Sequence, residues 1–246
     1  MNKITNIYLS YWFNELDYNP SSKVNELEDE IKSIIDTPLM YMKEEHNRNI
    51  SIPRIEGMSG DKKYFFTMSL INSFLSINLN EEIDIDEAIL LINSNIQLFY
   101  DILKKIYNVH IVYTSIKLDI VNDEKNVKEK IINLLKLKPD NYEDLTFKRG
   151  LIKDDYYINY SLSYSKEYNF NVKSDKDVIE QDLFDRSMIT SLSKANLNKE
   201  YLLTIVEIND RYAYNLDSLH ETKKDDIRGM IIELKKILED EKYLEI

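Results

Sequence analysis

The sequence predicts an α+β fold, with an antiparallel-dominated sheet and helices packed on one of its faces. Three stretches predict it. From Tyr156 to Val172 one parity carries Tyr156, Ile158, Tyr160, Leu162, Tyr164, Tyr168, Phe170 and Val172, and the other carries Tyr157, Asn159, Ser161, Ser163, Ser165, Glu167, Asn169 and Asn171. Such alternation marks a strand with one dry and one wet face, whereas strands buried on both faces read as continuous apolar runs. A second alternating run, Val109 to Val121, sets Val112, Thr114, Ile116, Leu118 and Ile120 against Lys117 and Asp119. Ahead of both, Ile85, Ile89, Ile92, Ile96, Phe99, Leu103 and Ile106 recur at spacings of four and three, the stripe of a long helix that needs a sheet to cover it.

The remaining elements follow in chain order. Ile4 to Phe13 is β-branched and aromatic and predicts a strand that ends in the turn material of Asn14 to Pro20. Ser21 or Ser22 can cap a helix whose apolar face is Val24, Leu27, Ile31, Ile34 and Ile35, stopped at Thr37-Pro38. Glu44 to Asn49 reads as charged and irregular. Asn49 to Glu56 and Lys63 to Leu79 read as a hairpin around Ser59-Gly60-Asp61. Within the second of these the apolar parity changes from Phe66, Met68, Leu70 to Leu75, Ile77, Leu79, which requires a bulge or break near Ile71–Ser73. A helix is expected over Glu124–Leu137 with Asp123 as its cap. Strands follow over Leu145–Ile152 and from Tyr156, joined through Lys153-Asp154-Asp155; then come a helix over Leu183–Leu192, a strand over Tyr201–Ile208 and a helix over Ile227–Leu238.

This order suggests an N-terminal strand-helix segment, 1–48, packing on a first ββαβα lobe, 49–140, followed by a second ββαβα lobe, 141–246. Two pseudo-repeated lobes of this kind can also run together as one continuous domain. The suggestion rests on element order, not on residue identity.

Composition narrows the chemistry. The 246 residues carry a formal net charge of −12. That field repels a phosphate backbone, so broad nucleic-acid binding is not expected. Cysteine is absent, which removes disulfides, thiolate metal sites and Cys nucleophiles, and an intracellular, cytoplasmic location is the expectation. With four glycines and no GxGxxG or GxxxxGK[ST] run, phosphate-cradling loops are excluded. No stretch approaches the roughly 20 apolar residues of a membrane span. Heavy use of Ile, Lys, Asn and Tyr, whose codons are AT-rich, points to an AT-rich bacterium, its phage or a mobile element.

The titratable residues make weak patterns. Asp84 and Asp86, in EEIDIDEA, have the Asp-x-Asp spacing of a hard-cation chelate, but carboxylates at that point also cap a helix and oppose its dipole. Asp119, with Asp123-Glu124-Lys125 after it, is a loose version of a metal-dependent nuclease set. His46, His110 and His220 form no local metal or acid–base motif, so any site using them must be assembled by folding. Lys148-Arg149, beside Gly150, is a compact basic patch suited to protecting a sheet edge.

The expected function is therefore a non-enzymatic macromolecular interaction module: a regulator, inhibitor, antitoxin-like or chaperone-like binder. Its expected partner is another protein, and no cofactor is expected. The polar parity of the tyrosine strand, Tyr157, Asn159, Ser161 and Ser163, together with Lys148 and Arg149, is the expected binding surface. The alternative is a divalent-metal-dependent phosphoesterase or nuclease using Asp84, Asp86, Asp119 and Asp123.

Overall fold

A computed structural model describes residues 2–17, 19–46, 50–79, 83–122, 145–169 and 196–240, with the isolated positions 81, 129, 132, 133 and 136. The strands are β1 (Asn2–Phe13), β2 (Met40–His46), β3 (Ile50–Met58), β4 (Tyr64–Met68), β5 (Asn72–Asn78), β6 (Ile111–Asn122), β7 (Leu145–Lys153), β8 (Tyr156–Asn169) and β9 (Asn196–Asn209). They form one nine-stranded sheet in the order β2-β3-β4-β5-β1-β6-β9-β8-β7. Every described pairing is antiparallel. The α-helices described throughout are α1 (Val24–Ile31), α2 (Ile85–Ile102), α3 (Arg211–Leu216) and α4 (Lys224–Glu239), and the sequence-predicted α+β class is the one observed.

The first strand sits mid-sheet, bonded to β5 on one side and β6 on the other. Ile4 and Ile7 are both buried although they differ by three positions, an odd step that a regular strand would place on opposite faces. A register shift between Ile4 and Asn6 resolves the conflict, since one extra residue at Thr5 restores the parity. From there Ile7, Leu9, Tyr11 and Phe13 face α2, and Tyr8, Ser10 and Trp12 face away.

Of the two carboxylates able to cap α2, Asp84 does so, and with Glu87 it closes a capping box: the Glu87 N–H donates to Asp84 Oδ1 at 2.7 Å, and the Asp84 N–H to Glu87 Oε2 at 3.4 Å. Ile92, Ile96 and Phe99 bury their side chains on the sheet, Phe99 stacking on Phe66 at 5.4 Å, and each fully buried side chain of this size stabilises by about 1.5–3 kcal/mol. The helix runs into a π-helical turn, Leu103–Tyr107, that ends at left-handed Asn108. Beside it, α4 buries Ile227, Met230, Leu234, Ile237 and Leu238, and Lys235 and Lys224 reach across to Asp86 and Asp101 of α2.

On β8 the expected division of faces is observed from Tyr157 to Tyr164, and the side chains of 165–172 lie outside what the structure describes. Ile158, Tyr160, Leu162 and Tyr164 are buried toward the helices, while Tyr157, Asn159, Ser161 and Ser163 are half-buried or exposed on the other side. Tyr156 docks directly on α4, its hydroxyl donating to the carbonyl of Asp226 at 3.2 Å. Glycine at position 229 makes this possible, because a Cβ there would collide with the Tyr156 hydroxyl.

Four differences from the sequence reading have local causes. Glu44–His46, the described part of the segment expected to be irregular, is the end of strand β2, because the backbone from Met40 completes the free edge of β3 from Met40↔Glu56 to His46↔Ile50; residues 47–49 lie outside the described residues. The parity break falls at Ser69–Ile71, where Ser69 Oγ accepts from the Ile71 and Asn72 N–H groups. Helix α3 was not expected, since Arg211–Leu216 is too short for a 3.6-residue period to show. The Lys148-Arg149 patch is divided: Lys148 pairs with Ser161 on the open side of edge strand β7, whereas the Arg149 guanidinium lies 5.4 Å from the ring of Tyr160, which faces the helices. The expected helix over 124–137 lies mostly outside the described residues, and that over 183–192 wholly so. The internal duplication is not confirmed: β1 separates β5 from β6, while β8 pairs with β9 directly. Among the described residues no helix is long and apolar enough to cross a membrane.

Replacing Gly229 with Ala should cost about 1–3 kcal/mol through the clash with Tyr156, despite the better helix propensity of Ala. In a Gly229→Ala/Tyr156→Ala double-mutant cycle followed by urea unfolding, Tyr156→Ala should cost less in the Gly229→Ala background than in the wild type. Additive losses would show that the two residues do not meet.

Candidate binding trough on the open sheet face

Among the described residues, helices α1, α2 and α4 cover one face of the sheet and leave the opposite face of its central strands to side chains alone. Five adjacent strands, β5-β1-β6-β9-β8, form there a trough of about 710 Å³. The register sets its rows. Trp12 lies opposite Tyr113; Phe74, Ser10, Ser115, Asn209 and Tyr157 form the next row; Tyr8, Lys117, Glu207 and Asn159 form the one after. Small Ser10 and Ser115 thus make a floor between larger walls. Trp12 stacks on Tyr113 at 5.5 Å and Tyr8 on Phe74 at 5.8 Å. The short helix α3 closes one end, with Tyr214 against Tyr113, and Tyr212 edge-on to Tyr157 at 5.3 Å.

The charges are arranged in sets. Lys117 lies 4.5 Å over the Tyr8 ring and 3.7 Å from Asp119 Oδ1, while the Tyr8 hydroxyl donates to Asp119 Oδ2 at 2.7 Å. Burial, then the hydrogen bond and charge of Asp119, push the Tyr8 phenol well above its ordinary pKa. Glu207 is held by neutral donors: Ser115 Oγ and Asn209 Nδ2 each donate to Oε1 at 3.0 Å, and Asn159 Nδ2 donates to Oε2 at 3.3 Å. Arg211, exposed, lies 5.7 Å over the Tyr113 ring.

Of the expected binding residues, Tyr157 and Asn159 line the trough. Asn159, Ser161, Lys148 and Arg149 line a shallower hollow of about 300 Å³ beside it, and Ser163 continues the same face opposite Thr146, with their hydroxyls 3.2 Å apart. The expected metal carboxylates go to separate places. Asp84 caps α2, Asp86 binds Lys235, Asp119 sits on the open face, and Asp123 lies outside the described residues. Among the described residues no group of three or more His, Asp or Glu is placed to hold a metal ion. Sequence reasoning did not single out Trp12, Tyr113, Lys117, Glu207 or Arg211. The signal was present in Tyr8-x-Ser10-x-Trp12 and Tyr113-x-Ser115-x-Lys117, the outward parity of two strands read only for their core.

Folding also brings His110 and His220 together around a second hollow of about 600 Å³ beside α3 and the start of α4. His110 Nε2 lies 3.1 Å from the carbonyl of His220, and His220 Nε2 lies 3.3 Å from Asp210 Oδ2. Asp210, only 1% exposed, accepts from the Thr114 N–H and from Thr222 Oγ1, each at 2.6 Å. These bonds tie the loop carrying α3 back to β6. His46 lies in β2. No protein-family model matches the chain, and no curated protein matches it either.

Burial raises the Asp210 pKa above 3.8, against the opposing bonds from Thr114, Thr222 and His220. The folded state therefore holds this proton more tightly than the unfolded chain. Relative to Asp210→Asn, wild-type stability should fall as pH rises from about 4 through the raised value, with no further relative change above it. Urea unfolding of both proteins across that range checks the sign; a constant difference would show that Asp210 titrates alike in both states. Asp210→Ala should cost about 2–4 kcal/mol by leaving the Thr114 N–H and Thr222 hydroxyl without their acceptor.

Proposed function

We propose that the chain is a non-enzymatic interaction module that receives a partner protein on the open face of its sheet. The observation that carries this reading is an exposed band of large apolar side chains on the face that α1, α2 and α4 leave uncovered. Met40, Met58 and Phe65 are 61%, 43% and 37% exposed, and their strands lead through Phe74 into the aromatic walls of the trough. Met58 and Phe65 lie opposite each other across β3 and β4, and apolar surface exposed in this way is costly in water unless something covers it. Methionine adapts to irregular partner surfaces, and Trp and Tyr are the usual anchors of protein interfaces. The trough's polar groups hold one another, as a recognition surface needs, and present no activated nucleophile with its base. The regulator, inhibitor, antitoxin-like and chaperone-like roles all use a surface of this type, and another protein is the partner class it suits.

Comparative affinity capture from the native cell tests the reading. Wild type and a helix-face control, Leu90→Glu, should retain the same species, and Phe65→Glu or Trp12→Ala should lose it by about tenfold or more, the weight of an interface anchor. Equal retention by all four proteins would move the interface off the open face.

A further inference from the structure

We propose that the cleft between Tyr8 and Trp12 seats one aromatic side chain of the partner protein, and that Arg211 takes a carboxylate neighbouring that side chain. This rests on the reading that the open face is the binding face.

The shape comes from register. On β1 the cleft is walled by Tyr8 and Trp12 with Ser10 between them, and on β6 by Lys117 and Tyr113 with Ser115 between them. Four residues of strand separate the walls by about 13 Å at their backbones, which leaves room for a flat side chain but not for a second layer of structure. An inserted ring would extend the two existing stacks, Trp12 on Tyr113 and Tyr8 on Phe74, in their preferred offset geometry.

The charge comes from elimination among the described residues. Lys117 is answered by Asp119, and Glu207 by Ser115, Asn209 and Asn159. Arg211 makes no salt bridge with any described residue, and its backbone is fixed where its N–H donates to Asn209 Oδ1 at 3.2 Å. Its guanidinium, lying over Tyr113, is thus a forked donor waiting at the mouth of an aromatic cleft, in a chain whose net charge is −12. A single carboxylate enters that acidic field at less cost than a doubly charged phosphate, and the Met40, Met58 and Phe65 band extends the contact surface well beyond the size of a mononucleotide. Both points favour a protein segment.

Trp12 is the chain's sole tryptophan, so its indole N–H gives one side-chain resonance that reports on the cleft directly. In a titration with acetyl-Phe-Asp-amide to about 10 mM, that resonance should move saturably. Acetyl-Phe-Lys-amide and acetyl-Ala-Asp-amide should each bind at least about fivefold more weakly, and Arg211→Glu should reverse the order of the Asp and Lys peptides while leaving the free indole resonance dispersed. Equal responses to the Asp and Lys peptides, or no saturable response, would overturn the proposal. Tighter binding of adenosine monophosphate than of acetyl-Phe-Asp-amide would overturn it in favour of a nucleotide. If the dipeptide fails while Phe65→Glu still loses the captured partner, the cleft assignment falls and the open-face reading stands; if both tests fail, both fall.

Discussion

Burial of Ile7, Leu9 and Tyr11 beneath α2 fixes which way the rest of the sheet must point. The central strand bonds to neighbours on both sides, so its parity passes through the register to β5 and β6, and from β6 to β9 and β8. With side chains alternating at a period of two, a one-residue slip would carry Tyr8 and Trp12 into the core and Ile7 and Leu9 into water. At about 1.5–3 kcal/mol for each large apolar side chain, exposing Ile7, Leu9, Tyr11 and Phe13 together would cost a sum comparable to a whole domain's usual margin of stability. The register shift at Thr5 is part of the same constraint, because it lets the strand begin with Ile4 on the core side and still deliver Ile7 there.

One-sided coverage has a chemical consequence. Side chains on the helix face are selected by packing, and those on the other face are free to do something else. The two faces of β8 show the contrast most simply, with Ile158, Tyr160, Leu162 and Tyr164 buried and Asn159 exposed. On β1 and β6 the outward residues are not merely polar. Aromatic rings alternate with serine, and the rings are already stacked in pairs, so the trough's walls keep their shape without an occupant. Preorganisation of this kind lowers the ordering cost that binding must otherwise meet.

Legibility followed the strength of each local signal. The tyrosine strand, α2, α4 and the alternation of β6 could be read because their periods extend over enough residues to exclude the rival pattern. Strand β2 could not, because Met40–His46 becomes a strand only by completing the edge of β3, a decision made by the partner and not by its own Lys, Glu and His residues. Helix α3 is too short to carry a period. A third of the expected binding surface, Tyr157 and Asn159, proved to line the trough, but its other side comes from strands distant in sequence. Tyr8, Tyr113 and Glu207 share a surface only because β1, β6 and β9 are neighbours, and strand order is the property that alternation says least about.

The loop after β9 joins the two hollows into one structural device. Asp210 is buried and spends its oxygens on Thr114, Thr222 and His220, adding side-chain bonds to the one its own N–H makes with the Thr114 carbonyl just past the end of β9. The next residue is Arg211, whose N–H is held by Asn209 Oδ1 and whose guanidinium overhangs Tyr113. An arginine side chain is long and loses much freedom when it is fixed, so the position of its head depends on how firmly the backbone beneath it is held. Here that backbone lies between a buried carboxylate and a strand-end amide, and α3 then folds its tyrosines against the trough's end. A desolvated carboxylate is costly to keep, and the stability given up at Asp210 is what holds an exposed cation in register with the aromatic walls.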